Sequence, residues 1–169
     1  IGSMWGKRTP DRRPSAFIPA TTADDVADAV RLATTQDLPI TVRAGGHNWS
    51  GSHLRDGAVV IDVSAMDEVS VDEESMTAVA GPGVGGSILA EELDSMGLFF
   101  PAGHCRGVKL GGYLLQGGFG WNSRALGPAC MSVNGVDVVL ADGSQVHADA
   151  DENADLYWAA RGSGTGFFG

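Results

Sequence analysis

The sequence has little positive charge and no long apolar run. Its 169 residues carry 11 lysines and arginines against 21 aspartates and glutamates, a net charge of −10. Nucleic acids and anionic membranes attract positive potential, so this balance argues against either as the main partner. No apolar run approaches the roughly 20 residues that a membrane-spanning helix needs. We therefore expect a globular protein with no nucleic-acid partner and no membrane partner.

Signals that would fix the compartment are also missing. No positively charged segment precedes an apolar core near the N-terminus, so no signal peptide is visible. The two cysteines, Cys105 and Cys130, could form one bridge but not a disulfide-dense scaffold. The compartment stays open; a soluble protein is expected, with the cytoplasm slightly favoured.

Glycine is what the sequence has in excess. There are 25 glycines in a chain that is otherwise globular in composition, with 43% hydrophobic and 19% charged residues. The glycines cluster in residues 45–57, 81–86, 103–120 and 162–169, without a collagen-like period. Clustered glycine in a folded domain indicates backbone that turns tightly or approaches a ligand closely. A large, flat, polar ligand is therefore expected.

Helical and strand-like patterns alternate along the chain. Thr22 and Asp25 resemble a capping box before a periodic apolar stripe, residues 58–63 have a continuous apolar character, and Gly97 lies where a helix is expected to stop. They predict helices over about 22–36, 87–96 and 152–160, strands over 39–43 and 58–63, and hairpins that join 69–71 to 77–79 and 136–140 to 145–147. The second hairpin carries Asp142-Gly143, which favours a tight primed turn. Residues 103–120 have no clean period and are expected to form a loop with a short helix.

The first candidate site is the run Arg43-Ala44-Gly45-Gly46-His47, directly after a strand. Two consecutive glycines there let backbone N–H groups converge on an anion such as a pyrophosphate, and Arg43 can add charge. His47 would be a nucleophile or a base held against the ligand. The alternative is a tight turn whose histidine caps the strand, and spacing alone does not decide between the two.

The second candidate is Gly103-His104-Cys105. A neighbouring histidine in a glycine-rich loop can favour the thiolate form of a cysteine, which would make Cys105 a nucleophile. The alternative is a buried, inert cysteine, the commoner state of a lone cysteine. Cys130 lies in an apolar setting and is interpreted in that second way.

The third candidate is Gly111-Gly112 followed by Gly117-Gly118-Phe119-Gly120. These glycines would let the backbone approach a flat ring or a phosphate, whereas the alternative is a set of turns.

Two other interpretations have weaker support. Residues 81–86 contain a Gly-x-Gly but lack the strand–GxGxxG–helix context of a dinucleotide fold. A metal site built from His47, His53, His104 and Cys105 has plausible ligand types, but their spacing matches no known zinc pattern. We predict no metal.

Four motifs in this order resemble the FAD-linked oxidases of the berberine bridge enzyme group, in the vanillyl-alcohol oxidase superfamily. They are residues 39–47 (PITVRAGGH), 100–105 (FPAGHC), 111–120 (GGYLLQGGFG) and 155–162 (DLYWAARG). The resemblance runs from about Pro14 to the end of the chain.

The resemblance implies an α+β fold, a PCMH-type FAD-binding domain of two α/β subdomains with FAD between them. The subdomains would comprise residues 14–80 and 81–169. Residues 1–3 look like a cloning remnant, and 1–13 are assigned to that remnant and an N-terminal segment. In the family a substrate-binding domain follows; it is absent here, and the ending at Gly169 looks like a truncation.

The resemblance also implies covalent FAD. In the family the histidine that corresponds to His47 bonds the flavin 8α-methyl, and in bicovalent members the cysteine that corresponds to Cys105 bonds C6. Together with the motifs above, it predicts cofactor contacts at His47, Cys105, Arg43, Ala44, Gly45, Gly46, Asn48, Gly103, His104, Gly111, Gly112, Gly117, Gly118 and Gly120. No catalytic base is named, because the segments that commonly supply it are absent.

The expected function is that of an FAD-dependent oxidase. A small alcohol-type substrate, a sugar or a natural product, would be oxidised with O2 as electron acceptor, the cofactor carrying the chemistry. One alternative is a non-catalytic flavin-binding fragment or module that lacks a substrate domain. Another is a noncovalent flavin reductase of the same superfamily, which would not need Cys105. The oligomeric state stays open.

Overall fold

The computed structural model describes residues 10–169, so the remnant predicted at residues 1–3 lies outside the described residues. Within that range the strands are β1 (Ala16–Pro19), β2 (Ile40–Arg43), β3 (Val59–Asp62), β4 (Val69–Asp72), β5 (Thr77–Ala80), β6 (Gly135–Val139) and β7 (Gln145–Asp149). The helices are α1 (Ala23–Thr35), α2 (Gly86–Asp94), α3 (Leu110–Leu115), α4 (Ser123–Leu126) and α5 (Ala154–Ala160), with a 3₁₀ turn at Ala129–Ser132. This mixture confirms the predicted α+β class.

A three-stranded parallel sheet forms the first layer, in the order β1-β3-β2. All four residues of β3 are buried, as its continuous apolar run predicted. The sequence did not predict β1, a strand of four residues that ends in Pro19. Proline is tolerated there because β1 lies at an edge of the sheet.

Helix α1 begins where the sequence predicted it. The Thr22 hydroxyl accepts a hydrogen bond from the Asp25 N–H (3.1 Å), and the Asp25 carboxylate accepts one from the Thr22 N–H (3.0 Å). This capping box satisfies backbone donors that the first turn leaves without partners. The apolar stripe of the helix then packs on β3 in a first core cluster, which is made of Ala20, Ala29, Val30, Ala33, Val59, Ile61 and Val63.

A second core cluster lies under α2 and α3 and contains Val84, Leu89, Leu93 and Leu110. Side chains of the β4–β5 hairpin pack against it. Helix α2 ends at Asp94, and the predicted stop glycine closes the turn that follows: Gly97 has φ +68°, and the Leu98 N–H donates to the Leu93 carbonyl at 2.9 Å. This is the left-handed stop that glycine favours. The boundary near residue 80 between two subdomains stays a prediction.

The β6–β7 hairpin is where the sequence predicted it, but the predicted primed turn is wrong. Either kind of primed turn at Asp142-Gly143 needs positive φ at Asp142, whereas only Gly143 has it (φ +79°). The Gly143 N–H donates to the Leu140 carbonyl (2.9 Å), and the Leu140 N–H donates to the Ser144 carbonyl (2.8 Å). The loop is therefore one residue longer, a type I turn followed by a left-handed glycine.

The reason for this turn lies in α1. The Arg31 guanidinium donates to the Gly143 carbonyl at 2.9 Å, and a methyl group on Gly143 would come within 2.9 Å of Arg31 Cγ. The turn is shaped by its contact with the helix as well as by its own sequence. No helix among residues 10–169 has both the length and the apolar character needed to cross a membrane.

Candidate functional site

The first candidate loop leaves the sheet at the carboxyl ends of β2 and β3. Arg43 and Asp62 end these strands side by side in the parallel register. Their side chains form an ion pair of 2.6 Å, with 15% and 10% of each exposed. The other Asp62 oxygen accepts a hydrogen bond from the Ser64 N–H (2.9 Å). The charge of Arg43 is thus balanced within the protein, and its predicted contact with a cofactor stays a prediction.

The two predicted attachment loops lie against each other. A methyl group on Gly45 would come within 2.7 Å of the Gly107 carbonyl oxygen. A methyl group on Gly107 would lie 3.4 Å from His47 Cδ2. Gly107 is two residues from Cys105, whose thiol is free and half-buried. The structure therefore brings the loop of His47 to the loop of Cys105, although 58 residues separate them in the sequence (105 − 47).

Backbone amides without a protein acceptor gather at this junction. Within residues 10–169, the N–H groups of Gly45, Gly46 and residues 103–107 donate no hydrogen bond to the protein. Successive amides of this kind form concavities that bind anions. This observation fits the pyrophosphate of a dinucleotide cofactor.

Lys109 contributes a cation that the sequence analysis missed. A methyl group on Gly45 would touch its Cγ at 2.7 Å, and one on Gly85 would lie 4.0 Å from its Nζ. Within residues 10–169 the half-buried Lys109 forms no ion pair. A single lysine in a glycine-rich segment matches no motif, so its position among the glycines was the only signal available.

Several glycines of residues 103–120 are required by packing around Tyr113. The Tyr113 hydroxyl donates to the Pro101 carbonyl at 3.0 Å, and burial raises the pKa of this phenol. Methyl groups on Gly103, Gly118 and Gly120 would come within 3.3, 2.8 and 3.1 Å of the Tyr113 side chain, respectively. Tyr113 thus joins the loop before Cys105 to the loop after α3. The predicted cofactor contacts at these three glycines stay predictions.

Gly111 and Gly112 differ in what surrounds them. A methyl group on Gly111 would press on Pro82 Cβ at 2.7 Å, whereas one on Gly112 would meet no atom within 4 Å. Gly112 also lies in α3 without a positive φ, so neither packing nor backbone conformation requires glycine there. Glycine in a helix costs about 1 kcal/mol relative to alanine. Open space at such a glycine fits a ligand that needs close approach to the backbone.

The remaining predicted residues have varied surroundings. The His104 ring stacks on Trp121 with centroids 4.7 Å apart. Asn48 accepts hydrogen bonds from the Ser50 N–H (2.9 Å) and hydroxyl (2.7 Å), and Ala44 packs against the first core cluster. At Gly117, φ is +93°, so the backbone alone accounts for glycine.

The structure shows the state of both cysteines and which potential metal ligands come together. Cys130 is a free thiol that is only 4% exposed, in the apolar setting predicted for it. Both cysteines are unbridged. The part of the chain from residue 10 onward contains no group of three potential metal ligands.

The sequence matches a family model and named relatives. Residues 14–149 match the model described as an FAD binding domain. The FAD-linked oxidoreductase nodO of Hypoxylon pulicicidum is 44% identical over 164 residues, which cover 97% of this chain and 37% of the relative. The (R)-6-hydroxynicotine oxidase of Paenarthrobacter nicotinovorans is 35% identical over 167 residues, 99% of this chain and 36% of that protein.

Solved structures share the fold. Glucooligosaccharide oxidase from Acremonium strictum superposes with a TM-score of 0.87 and 34% identity, over 92% of this chain and 33% of its own. Physcomitrella patens BBE-like 1 gives a TM-score of 0.84 and 38% identity, over 88% and 33%. The chain spans little more than a third of the length of nodO and of the hydroxynicotine oxidase, and less of some other curated relatives. From the site and these matches we conclude that the chain belongs to the FAD-binding domain family, among PCMH-type and berberine bridge enzyme-like flavoproteins.

Proposed function

We propose that this chain is the flavin-binding part of an FAD-dependent oxidase whose flavin is attached to both His47 and Cys105. The observation that carries the proposal is the contact between the loops of these residues, where a methyl group on Gly107 would lie 3.4 Å from His47 Cδ2. The substrate would be a small alcohol-type molecule, a sugar or a natural product, and O2 would accept the electrons.

The chemistry of similar proteins supports this proposal. The glucooligosaccharide oxidase is described with a 6-S-cysteinyl, 8α-N1-histidyl FAD, a flavin linked to one cysteine and one histidine. Sugar oxidases and a hydroxynicotine oxidase both occur among the matches. They support oxidase chemistry, and the sugar oxidases favour a hydroxylated substrate.

Different residues of this chain would bind different parts of FAD. The amides of Gly45 and Gly46 and the ammonium of Lys109 suit the pyrophosphate, because they offer N–H donors and one positive charge. Gly112 leaves room for close approach to the backbone. His47 and Cys105 would hold the flavin ring by bonds to carbon. Each bond would replace one C–H bond of the flavin and one N–H or S–H bond of the residue, and the two electrons and two protons released would pass to O2, which becomes hydrogen peroxide. The bound flavin would accept hydride from the substrate and pass electrons to O2.

The mass of the acid-denatured protein tests the attachment. We expect a mass increase of one FAD that survives acid precipitation, together with a flavin spectrum in the pellet. His47→Ala and Cys105→Ala should each retain FAD through the other residue, and the double variant should release it to the supernatant. Cys130→Ala is the matched control, because Cys130 is a free cysteine in the apolar interior, and it should keep both links.

The same preparations separate the proposal from its alternatives. A wild-type protein that stays colourless after incubation with FAD would contradict flavin binding altogether. A flavin found only in the supernatant would favour the noncovalent reductase. Protein that retains flavin but consumes no O2 with a panel of sugars and natural-product alcohols would favour a flavin-binding module.

A further inference from the structure

Three polar side chains are buried together beneath the loop that carries His47. Counted with their backbone atoms, the residues His53 and Asp62 are 6% and 7% exposed, and they are the only polar or charged residues of 10–169 to be so deeply buried. The Arg43 side chain, 15% exposed, lies beside them. Burying charged groups costs free energy unless they are paired. A buried polar cluster directly under the loop predicted to attach flavin therefore calls for a functional explanation.

The cluster touches the loop at Gly46, the residue before His47. Gly46 has φ +63°, a backbone conformation that residues other than glycine rarely adopt. A methyl group on Gly46 would come within 3.1 Å of Arg43 Nε and 3.4 Å of His53 Cε1. One face of Gly46 therefore rests on the guanidinium and on the imidazole.

Asp62 fixes the position of Arg43. It binds one terminal nitrogen of the guanidinium at 2.6 Å and is itself held by the Ser64 N–H at 2.9 Å. Arg43 Nε, buried and without an acceptor within residues 10–169, is left against Gly46. The position of the loop thus depends on Arg43, and that of Arg43 on Asp62.

His53 completes the support as a neutral ring. Burial, followed by the positive charge of Arg43, lowers the pKa of His53, and the Asp62 carboxylate opposes this only in part. Its carbonyl accepts a hydrogen bond from the Thr41 hydroxyl (2.7 Å), which ties the residue to β2. A neutral imidazole can fill the space beside a guanidinium without adding a second positive charge.

We propose that Asp62, Arg43 and His53 are positioning residues for flavin attachment: they hold Gly46 in its left-handed conformation and so aim the His47 imidazole at the flavin. This inference rests on the proposed function. In this role Arg43 supports the His47 loop from below, and its positive charge is paired with the Asp62 carboxylate.

The test compares attachment at the two flavin-bearing residues. Protein produced under riboflavin limitation is incubated with FAD and digested, and the FAD-bearing peptides of His47 and Cys105 are quantified over time. Asp62→Asn should slow attachment at His47 about 100-fold, because small misplacements of a reacting group have effects of this order. Attachment at Cys105 should change little. Asp62→Glu, which keeps the carboxylate, should recover part of the rate at His47.

Matched controls come from the surface. Asp28→Asn removes a carboxylate from an exposed ion pair with Arg31 (2.9 Å) and should leave both rates unchanged. His53→Ala should slow attachment at His47 on the order of tenfold, whereas His147→Ala, at an exposed histidine, should not. His53→Ala also decides the matter if Asp62→Asn does not fold.

Two results would overturn the inference: unchanged attachment at His47 in Asp62→Asn and His53→Ala, or an equal loss at His47 and Cys105. The second would show general disruption of the fold. A wild-type protein that carries FAD at neither residue would instead contradict the proposed function, so the two failures can be told apart.

Discussion

Two regions of this molecule place a histidine beside aspartate, one inside and one on the surface. Beneath the His47 loop, His53 lies with Arg43 and Asp62, and burial lowers the pKa of the imidazole. On the β6–β7 hairpin, His147 Nδ1 lies 2.7 Å from Asp137, and this hydrogen bond raises the pKa of the imidazole.

The difference between these regions is one of solvent and of the neighbouring arginine. At the surface, water solvates the charged pair and the carboxylates favour the protonated ring. In the interior, removal of water and the nearby guanidinium favour the neutral ring even though a carboxylate is close. Similar residues in a sequence therefore acquire opposite acid–base behaviour from their burial.

Removal of the buried carboxylate should have the largest effect on stability. Asp62→Asn leaves the Arg43 charge uncompensated, and breaking a buried ion pair in this way costs about 3–5 kcal/mol. Asp137→Asn, on the exposed hairpin, should cost far less, because water already solvates both partners of the pair. Urea denaturation of both variants measures the contrast, and equal losses would show that burial does not separate the two regions.

Filling the space at Gly112 with a methyl group should change stability less than Asp62→Asn does, and the change involves no charged group. Gly112→Ala should stabilise the protein without FAD by up to about 1 kcal/mol, because alanine is the better helix former. It should also weaken FAD binding, since the methyl group enters the space left for the ligand. Thermal unfolding and FAD titration give the two readouts. Weakened stability at unchanged affinity would contradict the role given to this glycine.

The buried histidine should make the protein sensitive to acid. Its folded pKa lies below the unfolded value of about 6.5, so the unfolded chain binds the proton more readily and stability falls as the pH drops from 6.5 through the lowered pKa. His53→Gln should remove this part of the pH dependence. Chemical denaturation at pH values above and below about 6.5 provides the measurement, and an unchanged slope in the variant would contradict this role of His53.

The titration of the exposed His147 should change stability in the direction opposite to that of His53, and its effect should be the smallest of the four. Its folded pKa lies above the unfolded value, so its stabilisation is complete below about pH 6.5 and is lost as the pH rises through the raised pKa. His147→Gln should flatten the profile on this alkaline side and leave the acid side as in wild type. A change on the acid side in this variant would show that the two histidines are coupled.

The sequence was sufficient for elements that depend on neighbours in the chain. Helix α1 was predicted from Thr22, Asp25 and a periodic apolar stripe, and β3 from its continuous apolar run. The hairpins were predicted because alternating residues and turn-forming residues lie within a few positions of each other. The turn at Gly143 was predicted wrongly because its shape also depends on Arg31, 112 residues away.

Features that depend on parallel pairing escaped the sequence analysis. Asp62 meets Arg43 only because β2 and β3 end in register, 19 residues apart. His53 was considered only as a weakly supported metal ligand, and Lys109 matched no motif, since their positions are defined by the glycines packed against them. The predicted attachment residues were recognised by family resemblance, and the structure adds what lies beneath and beside them.

The contact between Arg31 and Gly143 has a consequence for how the chain folds during synthesis. The Arg31 guanidinium binds the Gly143 carbonyl across 112 residues, and Val139 of β6 packs on the first core cluster. Although α1 and the parallel sheet come from the N-terminal half, the outer side of α1 stays exposed until β6 and β7 have left the ribosome. Contacts of such long range slow folding, because the closure entropy of the intervening loop must be overcome first.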